Sequence, residues 1–143
     1  MAKIKIFALG GLGENGKNMY VVEVNQHIFI LDAGIKYPDI DMYGVDAVIP
    51  NINYLIKNKD RIEGIFITHG HEDHISALPY LLKKIPTRVY GTHFTICLIE
   101  NLLSENKMDI KNYKLFRIND TKQLKFKDVT VSIFNTTHSI PES

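Results

Sequence analysis

Three histidines and an aspartate crowd into the stretch T-H-G-H-E-D-H, residues 68–74. This polar stretch separates two apolar patterns. The run G-I-F-I-T at residues 64–68 predicts a buried strand, and the apolar spacing over residues 75–84 predicts a helix. Because a loop at the end of a strand can direct several side chains into one crevice, the stretch indicates an α/β fold with a polar site at a strand end.

The rest of the chain supports the α/β class. Alternating or β-rich segments predict further strands at residues 3–9, 17–24, 28–31, 88–91, 114–118, 123–126 and 129–134. Helices are predicted at residues 75–84 and 92–104, with a short one at 52–59, and residues 33–50 are loop-like. Strands open the chain and helices alternate with strands later, which is typical of a mixed sheet covered by helices.

A glycine segment raises an alternative. G-L-G-E-N-G at residues 11–16 matches the G-x-G-x-x-G pattern of dinucleotide-binding folds, and Asp32 follows about 20 residues later, where such folds place a ribose-binding carboxylate. That function requires a helix directly after the glycines. Residues 17–24 instead carry valines and a tyrosine, which favour a strand. The glycines are therefore interpreted as a turn that leads into a β-hairpin, and the dinucleotide site is rejected.

Composition narrows the function classes further. The chain has 143 residues, 45% hydrophobic and 23% charged, which suits one domain with a core. A net charge of +1 gives no strong case for a nucleic-acid surface, and the scattered lysines are interpreted as solvated. Cys97 is the single cysteine, so no intramolecular disulfide can form. Without a membrane-length apolar run or a secretory signal, we expect a cytoplasmic protein with no membrane contact.

The clustered histidines are candidate metal ligands. Neutral imidazoles suit Zn²⁺, and a carboxylate adds a negative ligand and a proton acceptor. His69 and His71 alternate, which places both side chains on one side of an extended segment. Asp73 and His74 are adjacent on a turning backbone, so we expect them to point in different directions and to serve a second ion. Four candidates this close make ordinary polar loop residues the weaker interpretation.

The three remaining histidines differ in their prospects. His27 falls in a predicted hairpin turn and is expected to be solvated. His93 lies at the start of a predicted helix, and we do not expect it to have a functional role. His138 follows the last predicted strand, and this strand-end position makes it a candidate further ligand.

The pattern H-x-H-x-D-H after a buried strand resembles the metallo-β-lactamase superfamily. Within it, five segments resemble the ribonuclease J family, in the same order along the chain: ALGGLGENGKNMYVVEV, LDAGIKYPD, GVDAVIPN, DRIEGIFITHGHEDHISALPYLL and TTHSIPES. The resemblance implies an α/β fold of the metallo-β-lactamase type, a four-layer αββα arrangement, with only its N-terminal half in this chain. Residues 1–143 are thus expected to be the N-terminal part of that domain, with the family's β-CASP and C-terminal domains outside it.

The resemblance also implies a ligand set for two Zn²⁺ ions. His69, His71 and His138 correspond to ligands of one ion, and Asp73 and His74 correspond to ligands of the other. The family's bridging aspartate and final histidine have no counterpart here, so the second site is incomplete within these residues. We therefore expect residues 1–143 alone to be inactive, with a sheet edge left exposed where further strands would pair.

By the same resemblance, Asp32 orients the histidine loop from behind the ligands. The implied activity of the parent is zinc-dependent hydrolysis of RNA phosphodiesters, endonucleolytic and 5′ to 3′ exonucleolytic, in RNA maturation and decay. Two zinc ions would activate a water and clamp the phosphate, and Asp73 is the ligand best placed to accept a proton. The implied partner is RNA, and the parent is expected to form homo- or hetero-oligomers.

Two alternatives stay open. The same fold hosts hydrolases of thioesters, lactones and lactams, because a fold does not fix a substrate. The chain could also belong to an inactive interaction subunit or be a non-functional piece. Ser76 stands where many members of the family have glycine, a departure that we expect to be tolerated.

Overall fold

The computed structural model describes all of residues 1–143. Its centre is a six-stranded mixed sheet with the spatial order β1-β2-β3-β4-β5-β6, and a separate two-stranded sheet is formed by β7 and β8. The strands are β1 Ile4–Gly10, β2 Met19–Val24, β3 His27–Leu31, β4 Ile62–Phe66, β5 Arg88–Gly91, β6 Lys114–Arg117, β7 Gln123–Lys125 and β8 Thr130–Ser132. The helices are α1 Asn53–Lys57, α2 Glu72–Ile75, α3 Leu78–Lys84 and α4 His93–Glu105, with 3-10 turns at Lys59–Arg61 and Ile110–Asn112.

The first three strands form an antiparallel meander, as the sequence predicts. β2 pairs with both β1 and β3, and the β2–β3 turn places Asn25 at φ 54°. Asparagine tolerates this left-handed conformation better than most residues. The glycine segment does form the turn between β1 and β2, where Gly16 has φ 98° and an added Cβ would meet the Ile35 carbonyl oxygen at 2.8 Å. A side chain is excluded there on both grounds.

The second half of the sheet is parallel. β3, β4, β5 and β6 run in one direction, and helices carry the chain back between them. The carboxyl ends of these strands therefore meet at one edge of the sheet, which is where polar site residues are positioned in such folds. Asp32 follows β3 directly and residues 67–69 follow β4, so two distant segments become neighbours at this edge.

The two faces of the main sheet are covered differently. Helices pack on one face around a core of 21 buried residues, to which α4 contributes Ile96, Ile99 and Leu103 at helical spacing. The β7–β8 hairpin covers part of the other face over Phe29, Phe66, Tyr90 and Ile118; the rings of Phe66 and Tyr90 stack with centroids 4.8 Å apart. The layers are helix, sheet, sheet, which confirms the predicted fold class.

The helix predicted over residues 75–84 is divided in two. α2 ends at Ile75 and α3 begins at Leu78. The N–H of Ala77 donates to the carbonyl of Ala33 at 2.8 Å instead of continuing the α2 hydrogen-bond ladder, and Pro79 has no N–H to offer. A contact with the segment after β3 thus overrides the local helical pattern.

Several predicted boundaries move by a few residues. β2 begins at Met19 rather than at residue 17, because Lys17 has φ 53° and the Asn18 backbone bonds to the carbonyl oxygen of Asp73 at 3.2 Å. The helix predicted at residues 52–59 is α1 followed by a 3-10 turn. The prediction of a solvated turn for His27 is wrong: it begins β3, is half-buried, and its Nδ1 lies 2.6 Å from Oε1 of Glu63.

One edge and face of the main sheet lie open. β1 pairs only with β2, and its side chains Ile4 and Ile6 are 60% and 70% exposed. The expectation of an edge at which further strands would pair stays a prediction. None of the four helices combines the length and the apolar character needed to cross a bilayer.

Candidate metal centre

Asp32 is the anchor of the polar site. It is buried and has φ 62°, a left-handed conformation that aspartate tolerates. Its carboxylate accepts hydrogen bonds from the Thr68 backbone N–H at 2.8 Å, from the Thr68 hydroxyl at 2.9 Å, and from Nδ1 of His74 at 2.8 Å. One buried carboxylate therefore fixes both ends of the segment that carries the histidines.

His69 lies directly after Thr68 and is buried. The Thr68 hydroxyl donates its hydrogen to Asp32, so its oxygen accepts a hydrogen bond from Nδ1 of His69, 2.9 Å away. The lone pair of the neutral ring is then on Nε2, which can act as a ligand atom. Burial lowers the pKa of His69 to about 4, and the positive charge of His74 acts in the same direction. His69 is therefore neutral at pH 7, which is the form that binds a metal ion.

His69, His71 and His138 come together although His138 follows β8. One ring nitrogen from each lies within 4.8 Å of the others, and Nε2 of His138 lies 3.2 Å from Nδ1 of His71. His69 and His71 rings are 4.8 Å apart between centroids, so their alternation does place them on one side. Three converging imidazoles are a donor set that fits Zn²⁺, a borderline-soft ion.

Asp73 and His74 do not diverge as the sequence suggests. Oδ2 of Asp73 lies 3.6 Å from Nε2 of His74, and the His74 ring lies 4.1 Å between centroids from that of His69. The expectation of different directions is wrong: helical spacing alone separates neighbouring side chains, but here both functional atoms lie within hydrogen-bonding distance of the Asn18 side-chain amide. His74 therefore borders the cluster of the three histidines, and Asp73 lies beside His74.

The pKa of His74 responds to opposing influences. Burial is the largest and lowers it, but the hydrogen bond to Asp32 and the negative charges of Asp32 and Asp73 outweigh burial, so the pKa is raised. In the neutral ring, the proton that Nδ1 donates to Asp32 leaves the lone pair on Nε2, toward Asp73.

Sequence reasoning missed two residues that shape the site. The side-chain amide of Asn18 lies 3.0 Å from Oδ2 of Asp73 and 3.2 Å from Nε2 of His74. Gly34 passes so close to the loop that an added Cβ would lie 1.5 Å from the carbonyl oxygen of Asp73. Asn18 and Gly34 belong to the segments G-K-N-M and L-D-A-G, which carry the family resemblance. Their residue types alone do not predict these contacts.

A cavity opens beside the histidines. Its volume is about 470 Å³, and it lies between the two sheets with His69 and His138 at one side and Phe66, Ile118 and Val131 among its apolar walls. An apolar pocket that ends at a few convergent polar groups is the usual form of a ligand site.

The sequence profile described as the metallo-beta-lactamase superfamily matches residues 12–134. The chain belongs to the metallo-β-lactamase superfamily. Members of this superfamily generally bind metal ions, and the cluster of His69, His71 and His138 could hold one.

Two relatives within the metallo-β-lactamase superfamily resemble this chain over almost its full length. Ribonuclease J 2 of Staphylococcus aureus is 47% identical over 140 residues, 98% of this chain and 25% of that protein. Ribonuclease J 2 of Streptococcus pyogenes is 49% identical over 143 residues, 100% of this chain and 26% of that protein. The chain thus spans about a quarter of the length of these curated relatives.

A solved structure supports the metallo-β-lactamase fold. A protein of unknown function from Enterococcus faecalis V583 superposes with a TM-score of 0.75 at 15% identity, over 99% of this chain and 40% of that one. At this identity the likeness shows the fold alone.

Proposed function

We propose that this chain is the front part of the catalytic domain of a zinc-dependent ribonuclease of the ribonuclease J type. The observation that carries the proposal is the convergence of His69, His71 and His138, with donor atoms within 4.8 Å of one another. It occurs in a chain that is 47–49% identical to Ribonuclease J 2 of two bacteria. The substrate that follows from this similarity is RNA, and the reaction is hydrolysis of its phosphodiester bonds, endonucleolytic and 5′ to 3′ exonucleolytic.

The proposed ligands divide into two groups. His69, His71 and His138 hold one Zn²⁺, and Asp73 with His74 contributes to a second. When bound, such ions supply Lewis-acid polarisation of a phosphoryl oxygen and activation of water at neutral pH. The donors fit this role because His69 is neutral, and because the second ring nitrogens of His69 and His74 are engaged by Thr68 and Asp32.

Two carboxylates and the neighbouring cavity have further roles in this proposal. Asp73 is the group that accepts a proton, since its carboxylate is half-exposed and lies beside His74, whereas the Asp32 carboxylate is buried and already accepts three hydrogen bonds. Asp32 holds the loop in place without touching substrate. The neighbouring cavity, which has apolar walls and is lined by His69 and His138, gives a substrate room beside the cluster.

The proposal concerns a protein longer than this chain. Residues 1–143 would form the N-terminal part of a metallo-β-lactamase domain, with the β-CASP and C-terminal domains of the parent following. We propose a homo- or hetero-oligomeric parent that works in the cytoplasm, where RNA is matured and degraded. Residues 1–143 alone would be inactive, because Asp73 and His74 provide too few donors for a second ion.

The test uses the full-length parent and RNA labelled at its 5′ end. His71→Ala removes a proposed ligand, and we expect RNA cleavage to fall by at least about 100-fold. His93→Ala is the matched control, because His93 is an exposed histidine at the start of α4 outside the cluster. Unchanged cleavage by the His71→Ala protein would contradict the proposal. Hydrolysis of thioesters or lactones in place of RNA would favour the other hydrolase class.

A further inference from the structure

The side chain of Asn18 occupies a particular place beside the proposed second metal position. Its Nδ2 lies 3.0 Å from Oδ2 of Asp73, 3.0 Å from the Asp73 carbonyl oxygen and 3.2 Å from Nε2 of His74. An amide nitrogen carries two hydrogens, so it can bond to two of these three acceptors at once. The positive end of the amide dipole thus faces the two atoms that are proposed to bind a cation.

The spacing of those two atoms already suits a metal ion. Oδ2 of Asp73 and Nε2 of His74 lie 3.6 Å apart. Two ligands at about 2.1 Å from a tetrahedral Zn²⁺ are separated by roughly 3.4 Å. Nδ2 of Asn18 lies within hydrogen-bonding distance of both atoms, 3.0 Å from Oδ2 of Asp73 and 3.2 Å from Nε2 of His74, so it bridges them. The Asn18 amide therefore holds the pair near its ligating distance.

The backbone of Asn18 is anchored independently of its side chain. Its N–H donates to the Asp73 carbonyl oxygen at 3.2 Å, and its own carbonyl accepts from the Gly34 N–H at 3.0 Å. The residue directly precedes β2, so the main sheet fixes its position. Loss of the side chain would leave these backbone bonds in place, which separates the role of the amide from that of the fold.

The other ligands have comparable partners. The Thr68 hydroxyl is hydrogen-bonded to Nδ1 of His69, and the Asp32 carboxylate is hydrogen-bonded to Nδ1 of His74. Asp73 receives its side-chain hydrogen bond from Asn18. From this geometry, we infer that Asn18 is the positioning residue for the Asp73–His74 pair and controls the affinity of the second metal position without ligating the ion. The inference rests on the proposed two-metal function.

The experiment measures metal binding by the full-length parent, not catalysis. Metal-free protein is titrated with Zn²⁺ against a chromophoric chelator, which yields a separate dissociation constant for each ion. For Asn18→Ala, we expect the second constant to weaken by about 10- to 100-fold while the first is unchanged, as for other groups that orient ligands. Asn18→Leu, which keeps the number of side-chain heavy atoms and the branched shape without the donor, should behave in the same way. Asn101→Ala, an exposed asparagine on α4, is the control.

The outcomes are distinct. Two constants equal to those of the unsubstituted protein would overturn the role of Asn18 and leave the proposed function intact. A parallel fall of both constants, together with a lower melting temperature of the metal-free protein, would show a purely structural role and also overturn it. An unsubstituted parent that binds fewer than two Zn²⁺ would overturn the two-metal proposal and this inference together.

Discussion

Nδ1 of His74 donates a hydrogen bond of 2.8 Å to Oδ2 of Asp32, across a sequence separation of 42 residues. The same carboxylate also accepts from the backbone N–H and the hydroxyl of Thr68. Since Asp32 directly follows β3 and Thr68 lies just beyond the end of β4, this single carboxylate links the geometry of the site to the pairing of those two strands.

Asp32→Asn should damage both stability and metal binding. The amide keeps the shape and tolerates φ 62°, but its NH₂ must face one of the three donors that now bond to the carboxylate. We expect a loss of about 1–3 kcal/mol in the free energy of unfolding and about 10- to 100-fold weaker Zn²⁺ binding. Urea unfolding and metal titration measure the two effects. Asp41→Asn, at an exposed loop position, should change neither.

The three-histidine cluster should bind metal within residues 1–143. All three proposed ligands of one ion belong to this chain, so we expect about one Zn²⁺ per chain by elemental analysis. The double variant His69→Ala, His71→Ala should lose it, and His93→Ala should retain it. Equal zinc in the double variant would exclude the cluster as the binding site.

Gly34→Ala tests the close approach of two backbones. The added Cβ would lie 1.5 Å from the carbonyl oxygen of Asp73, so one of the two segments must move. We expect at least about 3 kcal/mol of destabilisation in urea unfolding, the upper part of the range for overpacking. Gly44→Ala is the comparison, because Gly44 has φ 76° but open space around it; we expect only the cost of about 1–2 kcal/mol for the left-handed backbone. Equal effects in the two variants would refute the steric argument.

Glu23 should make the stability of the chain depend on pH. The hydrogen bond from Tyr54, together with Arg61 and against the opposing effect of burial, lowers the pKa of Glu23 below its ordinary value of 4.5. Because the folded-state pKa lies below the unfolded one, the stabilising contribution is present above pH 4.5 and is lost as the pH falls through the lowered pKa.

Comparison with Glu23→Gln isolates this contribution. At pH 7 we expect the variant to be about 1–2 kcal/mol less stable in urea, since Arg61 and Tyr54 lose a charged acceptor. Below the lowered pKa the difference should shrink as the native carboxylate becomes protonated. A difference that stays constant from pH 7 to acid would show that the charge of Glu23 is not the source of stability.

The fold could be predicted where the signal is local. The valine-rich alternation of β2 and the apolar run of β4 determine strands by themselves, so both elements are confirmed with shifted ends. The division of the predicted helix at residues 75–84 could not be foreseen. It depends on a hydrogen bond from Ala77 to Ala33, which exists only after the chain has folded.

In the candidate site, too, local features could be predicted from the sequence and tertiary contacts could not. His69 and His71 meet because strand alternation brings them together, and this is visible in the sequence. The contact of His138 with His71 was suggested only by its strand-end position and by the family resemblance. The role of Asn18 could not be predicted, because it arises from tertiary contacts with Asp73 and His74, which are distant in the sequence.

The separation of 67 residues between His71 and His138 has a kinetic consequence. Early in folding, the chain can offer a metal ion the local donors of residues 69–74 but not His138. The third imidazole arrives after parallel strands and the β7–β8 hairpin have closed long loops, which are slow steps. Uptake of metal by a refolding chain would thus follow the step that brings His138 to His71. A chelator in the buffer would compete with metal binding at that late step and not with the initial collapse of the chain.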